Sequence, residues 1–157
     1  MAKALLGISP GTRVVGLAVI QKGVLVEWKV KTFKEMWSCS KRKTILATID
    51  RICEYHGIQV IAIKKIDPLR SSRPLDKLVD AIIKQAERNS IKIRQYSLSD
   101  LDYDLNTGKK QNKSELSEKV ADKHPEVRKE YLQEQNNRKE YYTKMFEAIA
   151  MAEQYKD

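Results

Sequence analysis

The sequence predicts an α/β domain built on a mixed five-stranded sheet, three antiparallel strands followed by parallel ones, with helices on its flanks. Three observations predict it. Apolar, β-prone runs near residues 4–8, 14–20 and 24–30 are joined by short Gly-containing connections, the pattern of an antiparallel meander. The hydrophobic period then becomes helical around residues 45–53 and returns to a continuous apolar run at 60–63, as a central strand covered on both faces shows. A second helical stripe and a fifth apolar run repeat that alternation, which is how crossover helices place later strands in parallel.

The first connection contains Pro10-Gly11, the pair a type II turn prefers, with Gly accepting φ > 0. Gln21-Lys22-Gly23 makes the second, and Val24, Val26, Trp28 and Val30 are expected to share one face of the third strand. Ile45, Ile49, Ile52 and Cys53 form one helical stripe, with Ser38 and Ser40 as caps and Gly57 as the stop. In the second helix Leu75, Leu78, Val79, Ile82, Ile83 and Ala86 recur at helical spacing behind Pro74, whose missing N–H costs nothing in a first turn. Ile91 and Ile93 mark the fifth strand. Residues 98–112 read as a polar loop, and Leu116 with Val120 as a short helix that stops before Pro125. From Val127 to Tyr155 helix formers dominate, with Tyr141, Met145, Ala148, Ile149 and Ala152 as the apolar stripe and its last two turns expected to dock on the sheet.

At 157 residues one domain spanning 1–157 is expected, large enough for a core without staples. Two cysteines, Cys39 and Cys53, make no disulfide framework, and no apolar run approaches the roughly 20 residues of a membrane span. No signal-peptide pattern opens the chain, so a cytoplasmic location is expected. The net charge of +9 is concentrated in residues 1–97, which carry 19 Lys+Arg against 8 Asp+Glu. Such an excess favours a polyanionic partner, DNA or RNA, because neutralising phosphates releases counterions. Solubility alone is the plainer reason for surface charge.

Leu6-Gly7-Ile8-Ser9-Pro10-Gly11-Thr12-Arg13-Val14-Val15-Gly16 resembles the first hairpin of RuvC-type Holliday-junction resolvases, where an Asp-Pro-Gly-Thr stretch opens the fold. Val60-Ile61-Ala62-Ile63-Lys64 resembles that family's fourth strand, which ends in a catalytic Glu. Phe146-Glu147-Ala148-Ile149-Ala150-Met151-Ala152 resembles its last helix, which begins Asp-Ala-Leu-Ala. The element order is that of the ribonuclease H-like superfamily. The resemblance implies four metal-binding acids, at positions that here read Ser9, Lys64, Lys144 and Glu147. One carboxylate remains, so the resemblance implies a degenerate site with no metal, no cofactor and no catalytic residue.

The reason is electrostatic. Two Mg²⁺ ions roughly 4 Å apart need hard anionic oxygens around them. A unit pair at 4 Å is worth about 4 kcal/mol at an effective dielectric of 20, so an ammonium at Lys64 beside a divalent ion costs roughly twice that. Asp67, Asp100, Asp102, Asp104, Glu147 and Glu153 offer material for a relocated site, and an active nuclease on such acids is the weakest reading. The alternating aspartates also resemble a calcium loop but lack its Gly and Glu. A Ser9 nucleophile would have only Lys64 as a base. His56 and His124 lie at helix ends, and Tyr141-Tyr142 reads as packing.

The candidate nucleic-acid contacts are Arg13, Lys41, Arg42, Lys43, Lys65, Arg70, Arg73, Lys109, Lys110 and Lys113, on loops and helix starts where free N–H groups also favour phosphate. The reading from another class is a protein-interaction scaffold, and a homodimer is expected from the resemblance.

Overall fold

The computed structural model describes residues 3–101, 112–137 and 142–156, without the side chains of 112–114 and 137. Its strands are β1 (Leu5–Ser9), β2 (Val14–Gln21), β3 (Val24–Thr32), β4 (Val60–Lys64) and β5 (Lys92–Tyr96). The helices are α1 (Cys39–His56), α2 (Arg73–Arg88), α3 (Asn112–Lys123), α4 (Arg128–Asn137) and α5 (Thr143–Gln154). The sheet order is β3-β2-β1-β4-β5, with β1, β4 and β5 parallel and β2 antiparallel to its neighbours. The expected mixed sheet is present, with helices on both faces.

Strand periodicity explains how the two faces differ. Leu6, Ile8, Val15, Leu17, Val19, Ile61 and Ile63 turn to one side, where they pack with Ile45, Ile49 and Ile52 of α1 and Leu78 and Ile82 of α2. The alternate positions are small: Gly7 pairs with Ala18 and Ala62, and Ser9 with Gly16. Against this smooth face lies α5. A Cβ at Gly7 would run into the Ala148 carbonyl, and one at Gly16 into that of Lys144, so both glycines serve close approach. Leu116, Val120 and Ala121 of α3 cover the outer side of α5, which leaves every residue from Met145 to Ala152 buried.

The helix caps follow the sequence. Ser38 and Ser72 accept the N–H groups of Lys41 and Leu75, and Gly57 closes α1 at φ 62. The connection from β2 to β3 puts Lys22 and Gly23 at φ 52 and 77, as a two-residue primed turn requires.

Three expectations need correction. Gly11 does not lie at positive φ, so Pro10-Gly11 is no type II turn; a Cβ there would meet the Val14 carbonyl and the Lys144 side chain instead. Between Val19 and Ile20 of β2 the register with β3 shifts, leaving Val26 of β3 without a partner in β2. That bulge changes the phase, so Leu25 is buried with Trp28 and Val30 behind it, whereas Val24 and Val26 face solvent. The helix formers after Val127 supply α4 and α5, and all of α5 docks, not only its last turns. Glu134 of α4 accepts the Tyr142 N–H at 2.9 Å and the Thr143 hydroxyl at 3.1 Å, capping α5 from outside its own sequence. Trp28 Nε1 donates to Glu130, which ties α4 to β3.

Candidate functional site

The C-terminal ends of β1 and β4 and the first turns of α5 meet at one edge of the sheet. Ser9 closes β1 on the α5 face, Lys64 closes β4 on the same face, and Glu147 stands in the second turn of α5. The close approach at Gly7 and Gly16 brings the helix down onto the strand ends.

Glu147 is 1% exposed, and both its oxygens have donors: the Ser9 hydroxyl gives a hydrogen bond to Oε1 at 2.9 Å and the Lys64 ammonium to Oε2 at 2.8 Å. Ser9 is fully buried, while the Lys64 side chain is 20% exposed, so the ammonium forms the mouth of the pair. Lys144, one turn before Glu147, turns to the β1–β2 connection and donates to the Pro10 carbonyl at 3.0 Å. The four positions singled out in the sequence thus converge. What they form is a carboxylate enclosed by a hydroxyl and an ammonium, which can hold a charge but offers no free oxygen.

Among the described residues the other acids have partners of their own. Asp67 accepts the Leu69 N–H, and Asp100 is held below the usual carboxylate range by the backbone N–H of Ser97, then by its hydroxyl. Glu153 lies at the far end of α5, bound to His124 and Lys123. Asp102 and Asp104 fall outside the described residues. Among the described residues no three His, Cys, Asp or Glu side chains gather as a metal site would need.

Neither histidine is placed as a base for Ser9. His56 Nε2 lies 2.8 Å from Glu27 and joins the end of α1 to β3. Burial raises the Glu27 carboxyl, but Lys29 and His56 outweigh it and hold the group below its ordinary value. His124 is raised by its hydrogen bond to Glu153, against the opposing effect of burial.

The described basic candidates divide into three groups. Arg13, Lys65, Arg70 and Arg73 are exposed and lie on the β1–β2 connection and the segment from β4 to α2, at the same edge as Lys64. Arg42 and Lys43 instead face a groove between α1 and α2, shared with Lys77, Lys84 and Arg88. Sequence reasoning missed that groove, although Lys77, Lys84 and Arg88 share one helical face. Lys41 must be withdrawn as a nucleic-acid contact: it is 4% exposed, and its ammonium donates to the Glu35 carbonyl, fixing the segment before α1. Lys109, Lys110 and the Lys113 side chain lie outside the described residues, as does Tyr141. Tyr142 is partly buried against the α5 core.

No family model matches the sequence, and no curated protein matches it. Solved structures do resemble its fold. RuvC of Thermus thermophilus in complex with a Holliday-junction substrate matches with a TM-score of 0.71 at 15% identity, over 98% of this chain and 92% of that one. Fowlpox virus resolvase with its Holliday-junction DNA matches with a TM-score of 0.63 at 11% identity, over 97% and 95%. Another T. thermophilus RuvC structure gives 0.60 at 17% identity, over 75% and 78%. At such identities the likeness establishes the fold: α/β, ribonuclease H-like, with the mixed five-stranded sheet of RuvC. No helix among the described residues is long and apolar enough to cross a membrane.

Proposed function

We propose that this chain is a single-domain, RuvC-like protein that binds nucleic acid, DNA or RNA, without metal-dependent cleavage. The observation that carries this reading is the enclosure of Glu147, whose two oxygens are occupied by Ser9 and Lys64. A pair of divalent ions does not fit these residues. One buried carboxylate cannot compensate their charge, and the Lys64 ammonium lies where it would repel them.

Binding itself draws on the net charge of +9 and on Arg13, Lys65, Arg70 and Arg73 exposed at the same edge. Two of the similar structures hold Holliday-junction DNA, which supports nucleic acid as the ligand class. Ser72 already fills the cap of α2, leaving Arg70 and Arg73 to meet phosphates from the flanking turns.

The test has two arms. Four-way junction, duplex and RNA–DNA hybrid are incubated with the protein and Mg²⁺ or Mn²⁺, and no cleavage is expected. Metal-dependent product that disappears in Glu147→Gln protein would overturn the non-cleaving part. Binding is then titrated across salt, where a steep negative slope is expected. Arg70→Glu with Arg73→Glu should flatten that slope by about 2, roughly one unit per lost phosphate contact. Lys22→Glu with Lys92→Glu, at the other end of the sheet, changes net charge equally and should flatten it less. Equal losses, or no slope in the wild type, would favour a protein-interaction scaffold.

A further inference from the structure

We infer that Lys64 is itself a phosphate ligand, its ammonium standing in for a metal ion by neutralising Glu147 on one side and receiving a backbone phosphate of the nucleic acid on the other. The inference rests on the nucleic-acid reading and says where one phosphate is held.

Lys64 is the point of this cluster that a ligand can reach. Ser9 and Glu147 beneath it are 0% and 1% exposed, whereas its own side chain is 20% exposed. An ammonium carries three donors. Among the described residues its one hydrogen bond goes to Glu147 Oε2, so two N–H directions remain for an acceptor.

The carboxylate behind Lys64 does not cancel this attraction. A phosphate oxygen on another tetrahedral N–H direction sits about 3 Å from the positive charge and about 5 Å from the carboxylate oxygen, and Coulomb energy falls with distance, so attraction exceeds repulsion by roughly one and a half times. Arg13 and Lys65 stand exposed on the adjoining connections, and the Lys144 ammonium is fixed on the Pro10 carbonyl close by. All three add positive potential at the same edge. Here the cation is covalently part of the strand, as the last residue of β4. Binding is therefore independent of divalent ions.

The experiment measures binding of a four-way DNA junction in EDTA, with folding of each variant checked by circular dichroism. Wild-type affinity should be unchanged on adding Mg²⁺ at constant ionic strength. Lys64→Met should weaken binding about tenfold, the size of one lost charge-assisted hydrogen bond. Glu147→Gln should strengthen it a few-fold, because the carboxylate no longer competes for the ammonium. A purely structural role for the pair would weaken binding in both variants, and that result overturns the inference.

A second measurement does not depend on Glu147→Gln folding. Junctions carrying one neutral methylphosphonate at a time are scanned against wild type and Lys64→Met. One linkage should cost wild type about tenfold and Lys64→Met almost nothing. A scan with no such linkage overturns the inference, and sodium phosphate that still displaces DNA through Lys64, beyond equal-strength chloride, would then mark a free-phosphate site. Should the wild type fail to bind DNA or RNA at all, the nucleic-acid reading itself falls; should it bind while Lys64→Met matches it throughout, only the inference falls.

Discussion

A buried and a partly buried glutamate on α5, Glu147 and Glu153, invite comparison, because the same helix places them at opposite ends of the sheet with different partners. Glu147 meets Ser9 and Lys64, both delivered by strands, and is almost fully enclosed. Glu153, about 9 Å further along the axis at 1.5 Å per residue, meets His124 and Lys123 at the end of α3. At the first end the cation is largely buried and held by the sheet. At the second, Lys123 is 59% exposed and the partly buried partner is His124, whose hydrogen bond to Glu153 raises its pKa. One end is thus an ion pair anchored on two strands, and the other includes a histidine whose charge follows pH. The contrast shows that the partner's identity and burial, not the helix, decide what a buried carboxylate does.

The largest expected effect comes from forcing the helix away from the first end. Gly16→Ala drives a Cβ into the Lys144 backbone, and Gly7→Ala does the same at Ala148, so each should cost about 3 kcal/mol or more in denaturant unfolding. Gly16→Ala, nearer the Glu147 end, should additionally lose the Lys64–Glu147 contact in a crystal structure, and its retention there would break the assignment of that end to the close approach.

Next in size is the fixed pair. Lys64→Met and Glu147→Gln should each destabilise by about 2–4 kcal/mol, since breaking a buried pair leaves one group uncompensated. The double variant should cost less than the sum, with a coupling above about 1 kcal/mol. Additive losses would show that the contact contributes nothing specific.

At the second end the effect should depend on pH. The folded pKa of His124 is raised, so protonation favours the folded state: its contribution is complete below the unfolded value near 6.5 and is lost as pH rises through the folded one. His124→Gln should therefore destabilise most at about pH 5.5 and least above the folded pKa. A pH-independent difference between the two proteins would refute the titrating role. The smallest effect belongs to Lys123→Met, expected within about 1 kcal/mol because that side chain is mostly exposed. A loss as large as that of Lys64→Met would erase the distinction between the ends.

The strands, the first two helices and their caps were legible because each rests on local chemistry: Ser38, Gly57 and Pro74 act through their own backbone. The convergence of Ser9, Lys64, Lys144 and Glu147 was legible through resemblance, since residues 138 positions apart leave no local signature. Other features depended on tertiary partners. The bulge at Val26 shows in the pairing of β3 with β2, and the polar stretch before α5 reads as continuous helix until Glu134 is seen capping it. Lys41 looked like surface charge because its partner is a backbone carbonyl, Glu35, which no sequence pattern reveals. The groove between α1 and α2 needed the packing angle of two helices.

The small face of the sheet has one further consequence. Where α5 crosses Gly7 and Gly16, backbone meets backbone, so the spacing of the two layers is set by peptide atoms and not by side-chain volume. Peptide atoms do not vary between sequences. Substitutions elsewhere in the core can repack, yet they have no side chain at these crossings through which to raise or lower the helix. The height of Glu147 above the strand ends behaves as a built-in ruler, which leaves only the identity of the side chains at that edge free to change.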